Sequence, residues 1–109
     1  MSYEKACTLA DLPDVGAIRV LVDGVAIAVT RSSDGEVHAI RDVCSHADVP
    51  LSEGEVDDHT LECWLHGSRF DLRTGKPTGL PATQPVPVYP VRIDGDDVHV
   101  DVTADSLTH

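Results

Sequence analysis

Aromatic side chains are scarce in this sequence: one Trp, one Phe and two Tyr, 4% of 109 residues. A core must therefore be assembled from Val, Ile, Leu and Ala. Basic residues are few as well, eight against nineteen acidic ones, for a formal charge of −11. That deficit argues against nucleic acid, whose binding needs a Lys/Arg footprint, and against docking on an anionic membrane. The acidity keeps a protein soluble and suits steering toward a basic partner surface. No apolar run approaches the roughly 18 residues of a membrane helix. The opening Met1-Ser2-Tyr3-Glu4-Lys5 lacks the apolar stretch of a signal peptide. Three cysteines, Cys7, Cys44 and Cys63, do not make a disulfide framework. The expected location is the cytoplasm.

The length suits one domain, and 41% apolar content is ordinary for a folded one. Helical periodicity is nowhere sustained. Thr8 and Asp11 are spaced like a capping box, but Pro13 limits any helix there to one turn. The rest reads as short strands between turns. Ile18–Val22 and Val25–Thr30 flank Asp23-Gly24, a two-residue hairpin signal. Ser33-Asp34-Gly35 turns the chain into Glu36–Arg41. Val88–Ile93 and Val98–Val102 flank the turn Asp94-Gly95-Asp96-Asp97, and Val98, Val100 and Val102 alternate with polar residues as in a half-buried strand. This spacing predicts an all-β antiparallel sandwich or barrel. The domain is expected over residues 1–102, with an irregular part at about 42–85 rich in Cys, His and Pro, and a tail at 103–109.

The chemistry concentrates in Cys44-Ser45-His46 and, sixteen residues on, Cys63-Trp64-Leu65-His66. Each segment offers one thiolate and one imidazole on a short loop, so two loops can grip a metal centre from two sides. Unrelated buried cysteines and surface histidines are one alternative. Tetrahedral zinc, which accepts two Cys and two His, is the other. The order Cys, His, Cys, His without a helix departs from the usual zinc finger.

The two segments, Cys44-Ser45-His46 and Cys63-Trp64-Leu65-His66-Gly67-Ser68, resemble the boxes of the Rieske family. Gly79-Leu80-Pro81-Ala82 resembles the proline loop that covers the cluster there. The similarity runs from about Tyr3 to Val102 and is greatest to ferredoxin components of ring-hydroxylating dioxygenase systems. It implies a β-sandwich of stacked antiparallel sheets, with a two-loop cluster-binding subdomain at one end. It also implies one [2Fe–2S] cluster per chain, with Cys44 and Cys63 on one iron and His46 and His66 on the other. Ser68, Trp64, Leu65, Gly67 and Pro81 would surround these ligands. Where high-potential members carry extra cysteines and a tyrosine, this chain has Val49, Leu65 and Phe70. The resemblance thus implies a potential at the low end of the family range, near about −150 mV.

By the same resemblance the chain is a monomeric electron carrier, not an enzyme. It would be reduced by a flavin-dependent NAD(P)H reductase and reoxidised by a terminal oxygenase. Related alternatives are a donor for iron–sulfur cluster assembly and the small subunit of a nitrite-reductase-like complex. Trp64 is expected as a plug beneath the cluster loop, with a partner contact as the other reading. Leu65, Leu80 and Pro81 form either an apolar collar around the histidine tips or plain loop packing. Arg41, Arg69, Arg73 and Lys76 either guide an acidic partner face or balance local carboxylates. Cys7 reads as a small buried hydrophobe, and His38, His59, His99 and His109 as ordinary surface groups. Glu53, Glu55, Asp57 and Asp58 belong on a solvated hairpin, since their spacing does not fit an EF-hand.

Overall fold

Asp23 and Gly24 both adopt left-handed backbone, with φ of 51° and 79°. This is the geometry of a type I′ turn, whose twist matches that of the strands it joins. It connects β2 (Gly16–Val22) to β3 (Val25–Arg31), which pair without a break from Val22↔Val25 to Gly16↔Arg31. The computed structural model describes residues 3–43, 49–64, 67–78 and 84–102. The other strands are β1 (Glu4–Thr8), β4 (Val37–Arg41), β5 (Val56–Asp57), β6 (Thr60–Glu62), β7 (Arg69–Asp71), β8 (Val88–Tyr89), β9 (Val91–Asp94) and β10 (Asp97–Val100). They form three antiparallel sheets, ordered β1-β10-β9, β2-β3-β4-β8 and β5-β6-β7. The all-β fold of stacked sheets is therefore as expected.

The four-stranded sheet is covered on both faces. Ile27, Val29 and Ala39 pack with Cys7, Val98 and Val100. Ala28 and Ile40, their neighbours in sequence, pack with Leu51, Leu61 and Phe70. A strand buried on both sides cannot alternate, which is why β3 reads as an almost unbroken apolar run. Cys7 is 7% exposed, the buried hydrophobe foreseen for it, and burial pushes its thiol pKa up.

Two expectations need correcting. Val88–Ile93 is not one strand: β8 pairs with β4 in the central sheet, whereas β9 pairs with β10 in the outer one. Pro90 lies between them. It has no N–H for a ladder, and the chain changes sheets there. The final strand also stops at Val100 rather than Val102: the Asp101 N–H still donates in register to the Pro90 carbonyl at 3.2 Å, but Pro90 has no N–H to return the bond. The N-terminal turn is a single 3-10 turn over Leu9–Asp11, with the Thr8 N–H donating to the Asp11 carboxylate at 3.0 Å. Among the described residues no helix is long and apolar enough to cross a membrane.

Candidate metal centre

The β6–β7 hairpin holds the segment that begins at Cys63. Its ladder ends at Glu62↔Arg69. One step further, the Cys63 N–H donates to the Ser68 carbonyl at 2.6 Å, and the Gly67 N–H donates to the Cys63 carbonyl at 2.9 Å. Gly67 takes φ of 77°, which closes the loop in the left-handed region that glycine tolerates best. Cys63 sits at the root of this loop, 0% exposed and not in a disulfide, packed in the cluster that contains Leu51, Leu61 and Phe70. Ser68 is buried beside it in the ladder, and Phe70 is fully buried. Trp64 is 48% exposed, so it is not a plug beneath the loop. The tight turn carries its side chain outward, where the core cannot cover it.

Two residues before Cys44 in sequence stands a residue that spacing did not single out. Asp42, directly after β4, is fully buried. Its Oδ1 accepts the Ser52 N–H and its Oδ2 the Ser52 hydroxyl, both at 2.6 Å. The Arg19 guanidinium lies 3.3 Å from Oδ2. The Asp42 N–H donates to the Ala26 carbonyl at 3.0 Å. Chain entry and exit around residues 43–51 are thereby tied together. The one available signal was an acid at the end of an apolar strand, and nothing local to it names Ser52 as its partner.

Close backbone contact joins the two segments. The Gly54 N–H donates to the Leu51 carbonyl, and the Glu62 N–H to the Glu55 carbonyl, both at 2.9 Å. A Cβ on Gly54 would lie 1.7 Å from the Glu62 carbonyl oxygen. The exit of the first loop thus rests on the residue just before Cys63. Cys44, His46, Leu65, His66, Leu80 and Pro81 lie outside the described residues.

Charges around this region are mostly balanced locally. Arg69 pairs with Glu62 at 2.9 Å and with Asp57 at 3.9 Å, and Arg73 with Asp71 at 3.6 Å. Asp57 and Asp58 lie on the expected solvated hairpin, β5–β6. Two histidines differ from the surface groups foreseen. His59 Nε2 lies 2.8 Å from Asp34 Oδ2 and 3.5 Å from Glu36, tying the β5–β6 turn to the β3–β4 turn. The hydrogen bond with Asp34 raises the His59 pKa and helps hold the Asp34 carboxyl well below the usual carboxylate range, where the Ser32 hydroxyl is the largest influence. His38 Nε2 is buried 3.3 Å from a Glu36 oxygen without hydrogen-bonding alignment, and burial pushes its pKa down.

A buried free cysteine at a hairpin root, in a chain whose sequence also carries Cys44-Ser45-His46, fits a cluster held by mixed sulfur and nitrogen ligands. The Rieske [2Fe-2S] domain family matches residues 2–90. The chain is 43% identical over 103 residues to the 3-phenylpropionate/cinnamic acid dioxygenase ferredoxin subunit of Shigella boydii serotype 4 (strain Sb227), covering 94% of this chain and 95% of that protein. The ferredoxin of carbazole 1,9a-dioxygenase from Nocardioides aromaticivorans IC177 superimposes with a TM-score of 0.85 at 38% identity, covering 92% of this chain and 97% of that one. A chain from a complex of reduced oxygenase and oxidized ferredoxin in carbazole 1,9a-dioxygenase gives 0.82 at 34% identity, with 90% and 91% covered.

The chain belongs to the Rieske [2Fe–2S] family. Its cofactor is accordingly a Rieske-type [2Fe–2S] cluster rather than zinc. The relatives named above match along nearly their whole length and are ferredoxins, and this chain is an electron-transfer component rather than a catalytic subunit.

Proposed function

We propose that this ferredoxin carries single electrons from a flavin-dependent NAD(P)H reductase to a terminal oxygenase of a ring-hydroxylating system, as a cytoplasmic monomer. The match along nearly its whole length to a dioxygenase ferredoxin subunit carries this reading. A ferredoxin of the same fold is found in complex with its oxygenase, which supports the choice of acceptor. In this reading the functional unit is residues 1–102, with one cluster held in the part at about 42–85.

The bound cluster supplies one reversible one-electron couple. Cys44 and Cys63 would hold one iron, and His46 and His66 the other. Cys63, with Leu51, Leu61 and Phe70 packed in the same cluster, keeps the sulfur side dry and fixed. The buried Phe70 offers no hydroxyl to a cysteine sulfur, which leaves fewer donors to stabilise the added charge. This favours a potential near about −150 mV. Trp64, half-exposed beside Cys63, provides apolar area for a partner at short range.

Iron and acid-labile sulfide analysis, with EPR of the dithionite-reduced protein, is the test. Two irons, two sulfides and a spectrum of mixed nitrogen–sulfur ligation are expected, followed by reduction by the reductase and reoxidation by the oxygenase. Stoichiometric zinc, or a holoprotein that such reductases cannot reduce, would overturn the proposal. A potential above roughly +100 mV would overturn its low-potential element.

A further inference from the structure

We propose that the buried Asp42 is a positioning residue for the cluster with a second effect: its fixed negative charge, partly offset by Arg19, holds the reduction potential down. The inference rests on the reading that Cys44 and His46 are ligands.

Three observations carry it. Asp42 is 0% exposed, yet its carboxylate is fully engaged by acceptor bonds to Ser52 and by the Arg19 guanidinium. Those donors stand in for the water that burial has removed from its oxygens, and one of them is a guanidinium at ion-pair distance. Two peptide units, at most about 7 Å of chain, separate Asp42 from Cys44. The only cation at this carboxylate among the described residues, Arg19, has a side chain 49% exposed and so shares its field with water. The compensation is therefore incomplete.

A negative charge close to the centre disfavours the arrival of an electron. At a separation of about 10 Å and an effective dielectric near 20, the interaction is worth about a tenfold change in the reduced-to-oxidised ratio. For a one-electron couple that ratio corresponds to about 59 mV. Removing Asp42's charge and removing Arg19's charge must then act with opposite signs. A purely mechanical role for the clamp predicts no such opposition.

The positioning role has its own signature. In Asp42→Asn the amide oxygen still accepts the Ser52 N–H, and the amide nitrogen can donate to the Ser52 hydroxyl oxygen. The loop stays tied while the charge is gone. In Asp42→Ala both are lost, and the part-buried Ser52 N–H is left without its acceptor.

The experiment uses the reconstituted holoprotein, with iron content and EPR recorded for the wild type first. Protein-film voltammetry should move the Asp42→Asn midpoint upward, by up to about tenfold in the redox ratio, and the Arg19→Gln midpoint downward. Iron release to a chelator should be faster in Asp42→Ala than in wild type and substantially restored in Asp42→Asn. Shifts of the same sign in the two charge variants, or no shift in either, overturn the charge effect; equal release from all three proteins overturns the positioning role. If Asp42→Asn fails to hold iron, the positioning rescue is refuted, and the sign of the Arg19→Gln shift alone decides the charge effect. A wild type that binds no iron would instead overturn the ligand reading on which the inference stands.

Discussion

Gly54→Ala isolates a steric demand where Gly54 meets Glu62 of β6, the residue before Cys63. Gly54 has φ of −87° and ψ of −170°, which any residue can adopt, so no dihedral strain arises on substitution. The obstacle is space. The new methyl carbon would lie 1.7 Å from the Glu62 carbonyl oxygen and 2.9 Å from its carbon. Real contacts of this kind do not fall below 3.0 Å, so backbone must move by more than an ångström. The obstructing atoms are backbone of β6 with a carbonyl in place, not a side chain that can swing aside. Overpacking costs about 1–3 kcal/mol, and a backbone clash belongs at the upper end. The lower chain entropy of alanine returns only about 0.4–1 kcal/mol. A net loss of about 2 kcal/mol lowers Tm by roughly 8–16 °C in a domain of this size. Because Glu62 precedes Cys63, iron retention against a chelator should fall as well. Thermal unfolding of the holoprotein, followed by circular dichroism and by visible absorbance, measures both. Gly95→Ala is the control: its φ is 63° but nothing lies within 4 Å of its Cβ, so it should cost only about 1–2 kcal/mol and leave iron retention unchanged. A Gly54→Ala protein melting within about 2 °C of wild type would refute the reasoning.

The His59–Asp34 contact makes part of the stability depend on pH. Because the folded pKa of His59 is raised, its contribution is fully present below the unfolded value of about 6.5 and is lost as pH rises through the folded value. His59→Gln should therefore lower the urea midpoint more at pH 6 than at pH 9; an equal difference at both would show that the ion pair does not act this way. Trp64→Ala should leave the fold and absorbance spectrum intact, since the side chain is half-exposed, while slowing electron transfer to the oxygenase about tenfold or more, as expected for an aromatic anchor. Stopped-flow rates unchanged from wild type would return Trp64 to a loop-packing role. Leu61→Ala, in the fully buried cluster with Cys63, should cost about 2–5 kcal/mol by urea titration, and less than 1 kcal/mol would contradict the packing described.

Local chemistry alone determined much of this protein. Asp23-Gly24 specified a hairpin because few residue pairs accept two left-handed conformations in succession. Alternation at Val98 and Val100 revealed a strand with one face in the core. The paired Cys-x-His and Cys-x-x-His segments pointed to the cofactor, since ligand identity is written in side-chain type and spacing. Other features arose only when distant segments met. That both faces of β3 are covered, that the chain changes sheets at Pro90, that Trp64 faces outward, and that His59 reaches Asp34 all depend on elements with no local relation to one another. Asp42 shows why most clearly. An acid after a strand is unremarkable until tertiary packing removes its water and brings Ser52 and Arg19 to its oxygens, and a buried charge exists only where the fold has supplied its partners.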